Sequence, residues 1–570
     1  MNTLRPPTFK SPPLTLPLSA VALALCSASP LAWSQTAPAP NAGQVLRDLQ
    51  LAPSAAPQAV PLQRIDETLD LAQAGEARVL VKTIRIIGNT EVPTDLLQPL
   101  LADLAGTEQT LTQLNAAARR ITAYYRNQGF AVARAYLPAQ DITDGSITIA
   151  VLEGRISSQK LNNESSLSNE RTKAYLAGVK DGDVIKSEQI DRGLLLLQDT
   201  PGIASSRATL QPGASPGTSE LLIEVKPADR VSGNVTADNY GGRYTGEYRL
   251  GAGLNIANPL KIGDIISFNG LTSGQGLTFG RLSYQLPVGS DGFKLGLAYL
   301  DVRYKLGREF AALLARGTAN STTVFASYPF IRSRFSNLNG TLSYEDKTTT
   351  DFVDSTATVT GKKVKVTNVG LSGNLQDALA GGGFNSFDLA FIQGKLGIQS
   401  LGALAIDAAS ARSNGSYSKL TWSASRLQRI TNDTLISASL TGQQAGKNLD
   451  SSEKFSLGGP TSIRAYPSGE ASGDEGYRGA LELRQTLLQN IQGVAFYDFG
   501  TVKINKNPFG AAGTSNNKTL AGAGFGINAS ISKVQIKASI AWRLSPDAPL
   551  AIPASAIKSA TLWFQASVAF

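Results

Sequence analysis

The 570-residue chain contains no histidine, one cysteine and one methionine. Histidine is the commonest general base and the commonest neutral metal ligand, so its absence excludes a Ser-His-Asp triad and disfavours a zinc site. The Gly-x-x-x-x-Gly-Lys-Ser/Thr loop of nucleotide-binding proteins is absent as well. We therefore predict that the protein is not an enzyme and that it carries no metal and no cofactor.

Long apolar runs and blocks of one charge are also missing beyond the N-terminal segment. A helix needs about 20 consecutive apolar residues to cross a bilayer, so no transmembrane helix is predicted. The 53 Lys and Arg residues and the 44 Asp and Glu residues are scattered, so we predict no nucleic-acid binding. A β-barrel is compatible with this composition, because its strands need an apolar residue only at every second position.

Residues 1–34 have the pattern of a secretory signal peptide. Arg5 and Lys10 are the only charges in this segment, and the apolar run Leu14–Leu25 follows them. A lipid anchor on Cys26 is disfavoured, because a leucine precedes it where a small residue is expected. Cleavage would discard Cys26 and leave an exported chain that needs no disulfide.

Residues 35–78 are rich in alanine, proline and glutamine. Within them, the stretch from Ala42 to Leu51 predicts a short helix. Pro53, Pro57 and Pro61 predict an extended linker after it. A disordered tail is the alternative.

Residues 79–155 predict a compact unit with the element order β-α-α-β-β. Its second helix is the most clearly marked, because Thr110 and Gln113 form a capping box and Gly129 stops the helix. The apolar stripe of this helix is predicted at Leu111, Leu114, Ala118, Ile121 and Tyr125. The other elements are predicted at Val79–Ile87, Pro93–Leu104, Ala131–Leu137 and Ser146–Leu152.

Residues 156–227 repeat this order, and two tandem units of this size are each large enough to fold. The second helix of the repeat turns Ile190, Leu194 and Leu197 inward. The elements are predicted at Ile156–Leu161, Asn169–Ala177, Ser187–Gln198, Ala204–Leu210 and Ser219–Val225.

Residues 231–570 change to short alternating strands separated by turn clusters. At about 10 residues per strand and a similar length per loop, this segment predicts a transmembrane antiparallel β-barrel of about 16 strands. A large soluble sandwich or propeller is disfavoured, because no blade-length repeat is visible.

The last strand supports the barrel, because apolar side chains occupy one of its faces. These residues are Leu562, Phe564, Ala566, Val568 and Phe570, opposite Thr561, Trp563, Gln565 and Ser567. A last strand with a terminal aromatic resembles the signal by which outer-membrane barrels are recognised for assembly. We assign that signal to Phe570.

Two motifs near the end of the chain each contain one charged residue of interest. Phe455-Ser-Leu-Gly-Gly-Pro-Thr-Ser-Ile-Arg-Ala-Tyr-Pro places Arg464 in a loop, and Phe496-Tyr-Asp-Phe-Gly places Asp498 in a predicted membrane strand. A carboxylate there is costly unless it faces a polar lumen and meets a cation. Arginine can bind it through two hydrogen bonds, so we predict that Arg464 and Asp498 pair. The alternative is a solvated arginine and an ordinary lumen-facing aspartate.

The whole arrangement resembles the outer-membrane transporters of two-partner secretion, the hemolysin-activator and filamentous-hemagglutinin-transporter type. The α/β units resemble POTRA (polypeptide-transport-associated) domains, and the resemblance covers essentially the whole mature chain. It implies an outer-membrane pore with periplasmic POTRA domains that exports one dedicated exoprotein, an adhesin, cytolysin or toxin. The implied further partners are the barrel assembly machinery and outer-membrane lipid, and the implied state is a monomer.

The resemblance also implies a site in which a loop folded into the lumen meets the barrel wall. The residues that match the family motifs are Arg464, Tyr466, Phe496, Asp498 and Gly500. Ala465 stands where the family usually has glycine, and alanine is costlier than glycine at positive φ, so we expect the loop tip to depart from its relatives. Residues 42–51 match the position of the family's plug helix.

The resemblance leaves alternatives open. A sibling barrel that inserts other barrels shares the POTRA-plus-barrel plan, whereas a passive porin has no use for periplasmic repeats. In the secretion pore, the strands predicted at Ala131–Leu137 and Ala204–Leu210 are candidate edges to which an unfolded segment could add a strand.

Overall fold

The computed structural model describes residues 39–50, 78–142, 144–510, 515–545, 549 and 551–570. The predicted signal peptide and the predicted proline-rich linker lie outside the described residues. Helix α1, Ala42–Gln50, occupies the predicted plug position. None of the described helices is long and apolar enough to cross a membrane.

The first α/β unit has a three-stranded sheet with the order β2-β5-β4, in which β2 runs parallel to β5. A small second sheet joins β1 to β3. The elements are β1 Arg78–Leu80, β2 Thr83–Ile87, α2 Thr94–Leu97, β3 Glu108–Thr110, α3 Leu111–Asn127, β4 Arg134–Tyr136 and β5 Ser146–Leu152.

Two predictions for this unit were wrong. The segment predicted as one strand, Val79–Ile87, divides because the N–H of Val81 bonds to Thr107 and the N–H of Lys82 bonds to Gly145. The predicted helix Pro93–Leu104 ends its α-helical part at Leu97 and continues as 3₁₀ turns. Pro99 lacks the N–H that an α-helix would use there.

Helix α3 forms as predicted, with the capping box at Thr110 and Gln113 in place. The N–H of Gln113 lies 3.2 Å from Oγ1 of Thr110, and the N–H of Thr110 lies 2.7 Å from Oε1 of Gln113. Four residues of the predicted stripe are buried, namely Leu114, Ala118, Ile121 and Tyr125. Leu111 is exposed, so the buried face begins one turn later than predicted.

The second α/β unit has the same element order and a sheet ordered β6-β8-β7. Ile190, Leu194 and Leu197 are buried as predicted. The elements are β6 Arg155–Asn163, α4 Asn169–Ala174, α5 Ser187–Gln198, β7 Ile203–Pro212 and β8 Thr218–Pro227.

Glu153 lies at the end of the first α/β unit and is only 5% exposed. Its carboxylate accepts hydrogen bonds from the N–H groups of Thr90 and Glu91, both at 2.7 Å, and from the hydroxyls of Thr90 and Tyr125. Burial by itself would raise the pKa of Glu153, but these bonds favour the charged form and hold the pKa below its usual value.

Sixteen antiparallel strands form a closed barrel, as predicted. Up to the longest loop they are β9 Val231–Asp238, β10 Arg249–Ala257, β11 Ile265–Thr272, β12 Leu277–Pro287, β13 Lys294–Lys305, β14 Ala315–Arg332, β15 Ser336–Val353, β16 Thr358–Asp377, β17 Gly383–Ile398, β18 Gly415–Arg429 and β19 Thr434–Ala445. Helix α6, Leu401–Ala409, connects β17 to β18.

The longest loop contains a two-stranded hairpin, β20 Phe455–Leu457 and β21 Ala471–Gly473. The barrel continues with β22 Glu475–Leu488, β23 Ile491–Lys503, β24 Asn517–Ile531, β25 Val534–Arg543 and β26 Ala560–Ala569. Pairing of β26 with β9 closes the circle.

Most outward-facing side chains of the barrel are apolar and exposed, whereas their neighbours along each strand face the lumen. On β26, Leu562, Phe564, Val568 and the adjoining Phe570 are exposed and Trp563 is buried, which confirms the alternation predicted for this strand. Strands β14, β15 and β16 contain 18, 18 and 20 residues, more than the roughly 10 that a bilayer requires. One side of the wall is therefore taller than the membrane.

Ion pairs attach the second α/β unit to one end of the barrel. Arg332 at the end of β14 binds both oxygens of Asp199 at 2.6 and 2.8 Å. Arg334, in the following turn, lies 2.5 Å from Asp191 of α5. These contacts fix which barrel end faces the α/β units.

Candidate functional site in the barrel lumen

The loop between β19 and β22, residues 446–474, folds into the lumen. Its residues Leu457, Ile463, Ala465 and Tyr466 are buried against lumen-facing side chains of the wall. These wall residues are Val494, Phe496, Val502, Leu520 and Ala541. The loop tip is therefore packed against β23, β24 and β25.

Arg464, at the loop tip, meets Asp498 of β23 through three hydrogen bonds. Its Nε lies 2.8 Å from Oδ2, its Nη2 lies 2.6 Å from Oδ1, and its backbone N–H lies 3.0 Å from Oδ2. Asp498 is fully buried. The structure thus brings the two sequence-predicted charges together in a bidentate pair, the strongest common geometry for these groups.

Two further wall residues complete the surroundings of the Arg464 guanidinium. Its Cζ lies 3.4 Å from the ring centroid of Phe496, a cation–π contact. Nη1 donates to Glu482 of β22 at 2.8 Å, and Arg484 binds the other oxygen of Glu482 at 2.7 and 2.9 Å. Sequence reasoning missed Glu482, although a carboxylate between Leu481 and Leu483 in an alternating strand gives the same signal as Asp498.

The last strand holds the backbone of the loop tip. The indole N–H of Trp563 donates to the carbonyl oxygen of Arg464 at 2.7 Å, and the hydroxyl of Thr561 donates to that of Ala465 at 2.9 Å. Alternation placed both side chains on the inner face of β26, but it could not identify what they bind.

Small residues on the wall make the close approach of the loop possible. A Cβ at Gly500 would lie 2.9 Å from Leu457 of the loop, and a Cβ at Gly522 would collide with Ala465. Ala465 is not among the described residues with positive φ, so alanine is unstrained at this position. Tyr466 is fully buried beside it.

The first arm of the loop is attached to the opposite wall by buried ion pairs. Glu453 lies 2.6 Å from Lys347 of β15 and 3.0 Å from Lys419 of β18. Asp450 lies 2.5 Å from Lys362 of β16. The loop therefore crosses the lumen and is anchored at both sides.

Helix α1 packs against this arm and against the inner wall. The N–H of Ala42 donates to Asp351 of β15 at 2.8 Å, and Arg47 donates to the carbonyl of Ser451 at 3.2 Å. The hydroxyl of Ser451 bonds to Asn41 at 2.8 Å. A Cβ at Gly43 would lie 2.7 Å from Oγ of Ser451, so glycine permits this contact.

The predicted assembly residue, Phe570, lies at the seam of the barrel. Its ring covers Gly233 of β9, where a Cβ would come within 3.0 Å of the ring edge. Its backbone N–H and carbonyl each pair with Gly233 at 3.0 Å. The last residue of the chain thus packs directly on the first barrel strand.

Within the described part of the chain, no group of three or more Asp, Glu, Cys and His side chains could hold a metal ion. The charged groups of the lumen instead pair with one another across the loop and the wall. The arrangement is suited to holding segments in place.

Sequence comparison identifies the group of proteins to which this arrangement belongs. The family of haemolysin secretion/activation proteins ShlB/FhaC/HecB matches residues 217–529, and the ShlB-type POTRA domain matches residues 79–154. The chain belongs to the ShlB/FhaC/HecB family. The predicted two-partner secretion transporter, its outer-membrane location and its periplasmic POTRA region are thereby confirmed.

Curated relatives of this ShlB/FhaC/HecB protein cover most of its length. The heme/hemopexin transporter protein HuxB of Haemophilus influenzae is 30% identical over 78% of this chain and 79% of its own. The outer membrane transporter CdiB of Dickeya dadantii is 25% identical over 76% of this chain and 77% of its own.

Solved structures agree on the fold. CdiB from Escherichia coli has a TM-score of 0.71 at 22% identity and covers 90% of this chain and 94% of its own. BamA from Haemophilus ducreyi, lacking POTRA domains 1–3, has a TM-score of 0.50 at 15% identity, over 86% of this chain and 100% of its own.

Proposed function

We propose that this barrel exports one dedicated exoprotein and that the Arg464–Asp498 pair fixes the loop in the position that transport requires. The observation that supports this role is that both the guanidinium and the backbone carbonyl of Arg464 have bonding partners. Its guanidinium has two carboxylate partners and an aromatic face, and its carbonyl has an indole donor. A loop held by these contacts keeps one position in the lumen while other segments move.

Helix α1 is the segment that we propose to leave the lumen during transport. Its polar contacts with the loop and the wall are individual hydrogen bonds through Asn41, Ala42 and Arg47. The loop, in contrast, is held by several buried ion pairs. Fewer charged contacts must therefore be broken to remove the helix than to remove the loop.

The exoprotein would first bind in the periplasm by strand addition to the second α/β unit. Both sequence-predicted candidate strands, β4 and β7, lie at sheet edges. Strand β7 offers 10 residues, whereas β4 offers 3, so β7 can pair with a longer segment. We therefore favour β7 as the receiving edge.

The exported partner is proposed to be an adhesin, a cytolysin or a toxin. The relatives named for heme/hemopexin transport match over more of this chain than most of the CdiB relatives do, so a heme-acquisition exoprotein is a further candidate. We also propose that the protein is a monomer without catalytic activity. The barrel assembly machinery would insert it, and cargo folding outside the cell would supply the energy.

Deletion of the gene, followed by quantitative proteomics of the medium and the outer membrane, tests this function. Loss of one large secreted protein, restored by the wild-type gene, is the expected result. A general loss of outer-membrane barrels would contradict it and would indicate an assembly factor. The identity of the missing protein gives the cargo.

A further inference from the structure

Three lysines form a patch on the outside of the tall wall: Lys363 and Lys365 of β16 and Lys395 of β17, hereafter the lysine patch. Their neighbours Val364, Val366 and Leu396 are buried on the lumen side, so strand alternation turns the lysines outward. Lys365 and Lys395 stand directly opposite each other in the β16–β17 register.

The lysine patch has little neutralising charge. Among the described residues, Lys365 has one carboxylate partner, Asp346 at 4.0 Å, and neither Lys363 nor Lys395 has one within that distance. Like charges directly opposite on adjacent strands repel each other. Two other outward cations of the wall are paired, Arg303 with Asp301 at 3.1 Å and Arg316 with Asp354 at 3.0 Å.

The height of the lysine patch on the wall indicates which environment it meets. Val369 and Phe391 stand opposite each other in the β16–β17 register, and both are exposed. They are the last outward-facing apolar side chains before the patch. Lys365 and Lys395 lie four positions beyond them along each strand. At about 3.3 Å per residue and a strand tilt near 45°, this separation is about 10 Å along the membrane normal.

The direction of the strands places the lysine patch in the outer leaflet. The turns that follow β12 and β14 contact α5 of the second α/β unit through Asp291 and Arg334, so β16 begins outside and ends at the periplasm. The lysine patch lies in the first half of β16, above the apolar band. Its ammonium groups therefore reach the headgroup layer of the outer leaflet.

We propose that the lysine patch binds the phosphate groups of an anionic lipid in the outer leaflet. Lysine ammonium groups suit phosphate as mobile point charges, and a bisphosphorylated headgroup can neutralise the Lys365–Lys395 pair. Bound lipid would stabilise the wall at the side where it rises above the membrane. No other part of the molecule needs to move for this contact.

Full-length protein in nanodiscs tests the proposal, with lipid A, a bisphosphorylated glycolipid, as the probe. The variant replaces the patch by Lys363→Gln, Lys365→Gln and Lys395→Gln. The matched control removes the same charge from exposed periplasmic positions by Lys173→Gln, Lys180→Gln and Lys226→Gln. Lipid A retained per protein is measured by native mass spectrometry against phosphatidylcholine.

The patch variant should retain lipid A about tenfold more weakly, and the control should match the wild type. The proposal would be overturned if the patch variant retained as much lipid A as the wild type. It would also be overturned if the control variant lost as much lipid A as the patch variant. Displacement of lipid A by millimolar inorganic phosphate would also overturn it, because the site would then bind a free anion.

A single substitution keeps the test decisive if the triple variant folds poorly. Lys395→Gln removes the repulsion with Lys365, so the thermal midpoint should rise in neutral detergent without lipid A. The rise in thermal midpoint on adding lipid A should be smaller for this variant than for the wild type. A Lys395→Gln protein that is less stable in detergent, or equally stabilised by lipid A, would contradict the proposal.

Discussion

The indole N–H of Trp563 lies 2.7 Å from the carbonyl oxygen of Arg464, so the last barrel strand holds the same loop tip that Asp498 holds from β23. One residue of the loop is thereby attached to two strands that are not neighbours in the wall. Displacement of the tip must break both attachments.

Arg464→Ala and Asp498→Ala should each reduce secretion at least roughly tenfold, because each leaves a buried charge without its partner. The inserted barrel should persist, since its strand pairing is unaffected. Secreted cargo is measured by immunoblot, and insertion is measured by heat-modifiable gel mobility. Arg303→Ala, which removes an outward-facing arginine, is the control. Normal secretion by both variants would show that the pair has no role in transport.

Trp563→Phe should have a smaller effect, about a fivefold loss of secretion, because it removes one N–H donor and retains the ring. The carbonyl of Arg464 then has no indole donor and the tip loosens. Protease cleavage within residues 446–474 should become faster. An unchanged cleavage rate would mean that the Trp563 bond does not hold the tip.

Gly500→Ala should destabilise the folded barrel by about 1–3 kcal/mol, because its new methyl group would lie 2.9 Å from Leu457 of the loop and 2.9 Å from the carbonyl oxygen of Tyr477 on β22. Gly280→Ala is the matched control, since no heavy atom lies within 4 Å of a Cβ at Gly280 on β12. The thermal midpoint of the folded barrel reports the difference. Equal midpoints for the two variants would refute the packing argument.

A disulfide between Gly43→Cys and Ser451→Cys should block secretion in an oxidising medium, and reductant should restore it. The positions are close enough to form the bond, and removal of the signal peptide would leave no other cysteine. Gly43→Cys alone controls for crowding at the helix. Full secretion by the oxidised double variant would mean that α1 need not leave the lumen during transport.

Glu153→Gln should loosen the contacts of Thr90, Glu91 and Tyr125 within the first α/β unit at neutral pH and have little effect in acid. The pKa of Glu153 is lowered in the folded protein, so its stabilising contribution is present above the unfolded pKa of about 4.3 and is lost as pH falls through the folded value. Hydrogen exchange of residues 90–125 measures the change. The exposed Glu164→Gln is the control, and an equal effect at both pH values would contradict the account.

Patterns with a fixed period were recoverable from the sequence. The length of the alternating segment predicted the number of barrel strands, and alternation predicted the outward face of β26. The capping box at Thr110 and Gln113 marked the start of α3. A costly carboxylate in a strand indicated Asp498, and the arginine in the Gly/Pro-rich loop indicated its partner, Arg464. The structure places these two residues in contact.

Features that depend on contacts between distant segments were not recoverable. The division of Val79–Ile87 follows from partners at Thr107 and Gly145, which a local apolar run does not specify. The donor role of Trp563 depends on where a loop about 100 residues earlier comes to rest. The size limit at Gly500 likewise depends on the position of Leu457.

The unequal height of the wall has a consequence for molecules that approach the cell from outside. Strands β14, β15 and β16 rise above the bilayer, whereas β9 has only 8 residues. An antibody or a bacteriophage would therefore meet one flank of the protein first. Surface epitopes should concentrate on that flank, and reagents that bind it would recognise living cells without entering the pore.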